Sequence, residues 1–198
     1  MNNSKNAIIR GRVCYSSLDR PNVIGQEGTG EPRYRLTLLI DKADKDAQQD
    51  LLAIAKEAYT EKFGPDALKS KPDGWSGIND GDKRSKGSDG IHDGCYYINC
   101  KSKNKPVLVD EYKEITTKIY DGCYVNVAVF AYGYEHAGKR GIAYAFSGVQ
   151  FDADGEKIEH ANHVLDSFKS KEHKIVSGES EEDDTGVEQP FSGEFDNL

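Results

Sequence analysis

The chain has 198 residues, with 26 Lys and Arg against 34 Asp and Glu for a formal net charge of −8, and a mean hydropathy of −0.72. That length allows one well-buried core and argues against two large domains. No apolar run approaches the roughly 20 residues of a membrane span, and the opening MNNSKNAIIRGR lacks the apolar segment of a secretory signal, so a cytoplasmic protein is expected.

Period-two alternation, the mark of half-buried strands, runs through four segments. Over 6–15, Ile9 and Val13 point one way and Arg10 and Arg12 the other; over 33–40, Tyr34, Leu36, Leu38 and Ile40 oppose Arg33, Arg35 and Thr37. Helical spacing follows, with Ala47, Leu51, Ile54, Ala55, Ala58 and Phe63 recurring three and four residues apart. Asp44 or Asp46 is placed to cap this amphipathic helix, and Gly64-Pro65 to stop it. Residues 70–94 are rich in Gly, Asp, Ser and Lys around a single Trp75, which predicts a long surface loop whose Lys83-Arg84-x-Lys86 cluster favours an anionic contact. Beyond it Tyr97, Asn99, Lys101, Lys103 and Lys105 share a face as far as the strand continues, with Pro106 marking an edge or an end. The strongest strand spans 120–134, with Cys123, Val125, Val127 and Val129 on one side and Tyr124, Asn126, Phe130, Tyr132 and Tyr134 on the other. A turn signal leads to a hairpin partner over 142–151, Asp152 to Gly155 make a further turn, and 156–176 read as a short helix or a last strand.

The charge is concentrated at one end. Glu179, Glu181, Glu182, Asp183, Asp184, Glu188, Glu194 and Asp196 account for the whole net charge and leave residues 1–176 balanced. A block of like charge with little apolar content cannot bury enough surface to offset ordering entropy, so 177–198 is expected to be a disordered acidic tail on a folded domain of 1–176. A tethered polyanion is most useful if the body carries a basic groove in which it competes with a polyanionic ligand. The plainer use is as a solubilising appendage.

The faces opposite the aliphatic sets carry cations and rings: Arg10, Arg12, Arg33, Arg35, Lys101, Lys103 and Lys105, with Tyr97, Tyr124, Phe130 and Tyr132. Unpaired nucleic acid offers base faces to stack and phosphates to neutralise, which such a surface matches. Taken singly, each ring is more often packed in a core; the interleaving with cations and the acidic tail favour binding. Phe191 and Phe195 within the acidic stretch also suggest a short motif read by replication proteins.

Catalytic signals are weak. Asp80, Asp82, Asp89 and Asp93 miss the EF-hand spacing and read as solvated turn acids, leaving a metal-dependent nuclease as an alternative. Cys14, Cys95, Cys100 and Cys123 form no CxxC pair, His160 and His163 have no nearby Cys, and no nucleophile elbow or Walker sequence occurs. No enzyme activity, metal or other cofactor is expected. A structural protein with a β-sandwich is a further alternative.

Together the segments EPRYRLTLLI at 31–40, GCYYINCKSK at 94–103 with Lys105-Pro106-Val107, YDGCYV at 120–125 leading to Phe130-Ala131-Tyr132, and KRGI at 139–142 followed by Gly148-Val149-Gln150 resemble the Enc34-like family of bacteriophage single-stranded DNA-binding proteins, formerly a domain of unknown function. The order holds over about residues 6–155, and the acidic end is a further likeness. The resemblance implies a mainly β protein, α+β by content: an OB-fold Greek-key barrel elaborated by the helix and the long loop. It also implies sequence-tolerant binding of single-stranded DNA in phage DNA replication and recombination, inside an infected or lysogenic bacterial host. Where the family tends to place a basic residue before its Asp-Gly-Asp, this chain has Ile78-Asn79, so no DNA role carries over to that part of the loop. Beside single-stranded DNA, the partners left open include a second copy of the chain in a homo-oligomer.

Overall fold

The elements follow in the order β1 (Asn6–Asn22), β2 (Arg33–Asp41), α1 (Lys45–Phe63), β3 (Asn79–Asp80), β4 (Cys95–Ser102), β5 (Val107–Val109), β6 (Tyr124–His136) and β7 (Lys139–Ala153). The computed structural model describes residues 6–23, 30–84 and 90–159. These fall within one unit, Met1–Ala161. The expected boundary at 176, the acidic tail and Phe191 and Phe195 lie outside the described residues, as do Lys86, Asp89, His160 and His163.

β1 pairs antiparallel with β2 on one side and β6 on the other; β2 continues to β4 and β6 to β7. A parallel bridge between Cys100 of β4 and Tyr144 of β7 joins the two ends. The ring β1-β2-β4-β7-β6 is thus a closed five-stranded barrel, the OB-fold, with β3 and β5 as short additions beside β4 and β7. The alternation in the sequence explains what fills it. Ile9, Val13, Leu36, Leu38, Ile40, Val125, Val127 and Val129 all point inward and are buried.

Helix α1 packs over β6, β1 and β7. Asp44 caps it, its carboxylate accepting from the Ala47 N–H at 3.0 Å. Gly64, at φ +96°, ends it by donating its N–H to the Thr60 carbonyl. The buried stripe is Ala47, Leu51, Ile54, Ala55, Ala58 and Tyr59, so Tyr59 takes the deep position and Phe63 is half-buried beside it. Gly133 permits the close approach of helix to strand, because a Cβ there would lie 2.6 Å from the Lys62 Cβ.

Residues 70–94 depart from the expected surface loop. Trp75 is buried edge-on against Tyr59 at 5.0 Å, and its carbonyl accepts the Ile142 N–H at 2.8 Å. The segment then adds β3 to β4 and returns past His92, which is 1% exposed. Gly81 stands so close to the returning chain that a Cβ would meet the His92 carbonyl oxygen at 1.9 Å. One tryptophan and one histidine therefore anchor a stretch whose composition reads as solvent-facing.

β4 ends at Ser102, leaving Lys103 and Lys105 in the link to β5. The β6–β7 strands run on to a two-residue turn at Ala137 and Gly138, both at positive φ (49° and 76°), as a type I′ hairpin requires. Residues 154–159 have no regular structure. Among the described residues, no helix is long and apolar enough to cross a membrane.

Candidate nucleic-acid interface

Strand register brings the outward residues of the barrel into rows. Arg35 of β2 lies opposite Lys101 of β4, and Thr37 opposite Asn99. Like charges facing each other across two strands repel, and among the described residues neither Arg35 nor Lys101 meets a carboxylate. An anion placed between them would relieve that repulsion. The parallel bridge at Cys100 and Tyr144 sets the next residues, Lys101 and Ala145, side by side on the outer surface. Ala145 is in turn the partner of Phe130, and Ala143 that of Tyr132.

One wall therefore reads Arg35, Lys101, Ala145, Phe130 across β2, β4, β7 and β6, with Thr37, Asn99, Ala143 and Tyr132 in the next row. At about 4.8 Å per strand, cations and rings are roughly 10 Å apart. The two alanines keep the floor between them low. Phe130 is 37% exposed and Tyr132 47%, so neither is sealed from water, and Tyr132 lines a recess with Ala58, Glu61 and Lys62 of α1. Tyr134, 43% exposed, continues the ring series, lying over Gly141 with no Cβ beneath it. It shares the parity of Phe130 and Tyr132, the signal that extends the contact set to it.

Directly beyond the Arg35–Lys101 row, where β2 begins and β4 ends, Arg33 and Lys103 converge on Glu31. One carboxylate oxygen, Oε2, stands 2.7 Å from Arg33 Nη2 and 2.9 Å from Lys103 Nζ. The hydrogen bond and charge of Lys103, then the charge of Arg33, hold the Glu31 carboxyl below its ordinary range. Gly30, Glu31, Arg33 and Lys101 line one shallow recess. Lys105 is exposed in the neighbouring link.

The remaining expected contacts sit elsewhere. Arg12 donates to the carbonyls of Gly122 at 2.9 Å and Glu156 at 2.5 Å, clamping the 154–159 stretch to the barrel. Arg10 pairs with Asp152 at 2.8 Å and covers the ring of half-buried Tyr124 at 5.1 Å. Tyr97 is half-buried, packed edge-on against His92 at 4.7 Å in a small outer cluster with Cys14, Leu39 and Ile158. The single surface expected from parity is thus divided. Arg33, Arg35, Lys101, Lys103, Phe130 and Tyr132 come together, while Arg10, Arg12, Tyr124 and Tyr97 are committed to internal partners.

Two of the loop acids are engaged as well. Asp80 and Asp82 clasp Lys42 from two sides, Asp82 at 2.5 Å, and Asp82 also accepts the Gly94 N–H at 2.7 Å. The hydrogen bond from Lys42 is the main cause that lowers both carboxyls below the usual range, and those same bonds raise the Lys42 ammonium above its own. Among the described residues, no group of three or more His, Cys, Asp or Glu is placed to hold a metal ion. The four cysteines are free thiols, and burial raises Cys100 furthest.

A family model described as Enterobacter phage Enc34, ssDNA-binding protein, matches residues 5–183. "Putative protein p50" of Acyrthosiphon pisum secondary endosymbiont phage 1 is 31% identical over 156 residues, covering 73% of this chain and 81% of the relative. Among solved structures, the single-stranded DNA-binding protein from bacteriophage Enc34 in complex with ssDNA matches with a TM-score of 0.67 at 23% identity, covering 79% of this chain and 91% of that one. The single-stranded DNA-binding protein gp2.5 of bacteriophage T7 matches with a TM-score of 0.54 at 14% identity, covering 84% and 98%. These structural likenesses share the barrel described above.

Proposed function

The chain belongs to the family of the Enterobacter phage Enc34 single-stranded DNA-binding protein, and from that premise we propose that it binds single-stranded DNA on the wall formed by β2, β4, β7 and β6. Arg33, Arg35, Lys101 and Lys103 meet phosphates, and Phe130, Tyr132 and Tyr134 stack bases across the alanine floor. Nothing in this wall selects a base by a fixed set of hydrogen bonds, so binding is sequence-tolerant, as stacking platforms are. The observation that carries the reading is the row in which Arg35 and Lys101, meeting no carboxylate among the described residues, stand level with an open aromatic ring. The family is described by its ssDNA-binding protein, and two of the four loop acids of the nuclease alternative, Asp80 and Asp82, are spent on Lys42. We assign no catalysis to this chain. Its place is in phage DNA replication or recombination, in the cytoplasm of the host. The acidic stretch 177–198 acts as a competitor for the wall, and its two phenylalanines, Phe191 and Phe195, serve as a recruitment motif for replication proteins.

Titration of a labelled oligothymidylate against duplex of the same length, with and without Mg²⁺, tests this. The reading predicts tight single-strand binding, weakened by Lys101→Glu, with the strand left intact. Cleavage would restore the nuclease, and absence of any complex would favour a structural β-protein.

A further inference from the structure

Glu31 is the one acid in contact with the cations of the wall among the described residues. Its carboxylate makes the two contacts that a phosphate oxygen would make there, one with a guanidinium and one with an ammonium. It also lines the same recess as Lys101, so it stands in the path of an approaching anion rather than behind it. Lys103 and Arg33 hold it ionised well below neutral pH.

We infer that Glu31 is a specificity-determining residue: it occupies a phosphate position between Arg33 and Lys103 and raises the threshold that an anion must pass to take that end of the wall. The inference rests on the binding surface proposed above. Its consequence differs with the size of the ligand. A small polyanion that reaches only Arg33 and Lys103 must replace both Glu31 contacts and finds nothing further to compensate. A DNA strand reaches Arg35, Lys101 and the rings as well, so it displaces Glu31 with support from its neighbours or leaves it in place and binds through the rest. Glu31 therefore penalises small polyanions such as nucleotides and polyphosphates more than it penalises a continuous strand.

The test uses the full chain and its Glu31→Gln variant, which keeps the shape and removes the charge. Oligothymidylate affinity is measured across salt concentrations, with inorganic tripolyphosphate as the competing small anion. The variant is expected to bind DNA about twofold to threefold tighter at low salt, as the loss of exposed ion pairs implies. Its log–log salt slope should steepen by about 0.7, the value for one more phosphate neutralised. The tripolyphosphate inhibition constant should fall by a larger factor than the DNA dissociation constant, narrowing the selectivity between the two. Equal factors, or weaker DNA binding by the variant, would overturn the inference, the second because Glu31 would then be holding Lys103 in position for DNA. Lys101→Glu, measured alongside, separates the two levels. If it leaves DNA affinity unchanged, the wall itself is misplaced; if it weakens binding while Glu31→Gln leaves the selectivity unaltered, only the role of Glu31 is lost.

Discussion

Phe130 and Tyr97 are both aromatic residues on outward strand positions, yet their surroundings assign them different work. Phe130 has Ala145 beside it and open solvent above, whereas Tyr97 has the His92 ring against its edge. Replacing Phe130 or Tyr132 by Ala should cost about 1–3 kcal/mol of single-strand affinity each, the usual worth of a stacked base, with the melting temperature nearly unchanged. Arg12→Ala should do the reverse, losing about 1–3 kcal/mol of stability, chiefly through the part-buried Gly122 carbonyl that it leaves unpaired, while DNA affinity of the folded protein stays near wild type. Equilibrium unfolding and anisotropy on the same preparations check both. Parity in the sequence is sufficient to say that Arg12 and Phe130 point away from the core. It cannot say that Arg12 meets carbonyls 110 and 144 positions further along the chain, because that depends on how distant strands are placed rather than on local pattern.

At the scale of elements, the strands and the helix were legible because each carries one strong period. Helix α1 begins at an Asp cap and stops at Gly64, as its flanking residues indicate. The stretch from 70 to 94 was not legible, since its order comes from a few long-range anchors: Trp75 in the core, His92 under the returning chain, and the clasp of Lys42 by Asp80 and Asp82. The clasp makes a pH prediction with a definite sign. Both carboxyls are lowered on folding, so their contribution is complete above the ordinary Asp range near pH 4 and is lost as pH falls through their folded values. Lys42 is raised, so its contribution holds below the ordinary Lys range near pH 10.4 and is lost only as pH rises beyond that. Melting temperatures measured from pH 7 downward should fall more steeply below pH 4 for the wild type than for Asp82→Asn. At neutral pH that variant should melt earlier yet bind DNA with little change, because the clasp lies apart from the wall. Parallel acid profiles would show that the clasp contributes nothing to the fold.

For the whole molecule, the decisive contact is the parallel bridge between β4 and β7, which closes the barrel and sets the cations of β2 and β4 level with the rings of β6. Going round the barrel the other way, those groups lie toward opposite ends of β1, where Asn6 partners Phe130 and Ser17 partners Arg35. Sequence pattern names the candidate residues, and closure of the barrel brings only some of them onto the proposed wall. The charge split of the chain adds a prediction at this scale: deleting residues 177–198, with their eight acids, should tighten single-strand binding at low salt and have little effect at high salt, where screening already silences the competition. Unchanged affinity at low salt would remove the competitor role. The most direct test of the account is the salt dependence of single-strand affinity for three proteins: the wild type, Arg35→Ala/Lys101→Ala, and Phe130→Ala/Tyr132→Ala. The account predicts that the cation pair lowers the log–log slope by about 1.4, two phosphates at about 0.7 each, while the ring pair lowers affinity at every salt with the slope intact. Identical slopes for the cation pair and the wild type, together with full affinity for the ring pair, would contradict it.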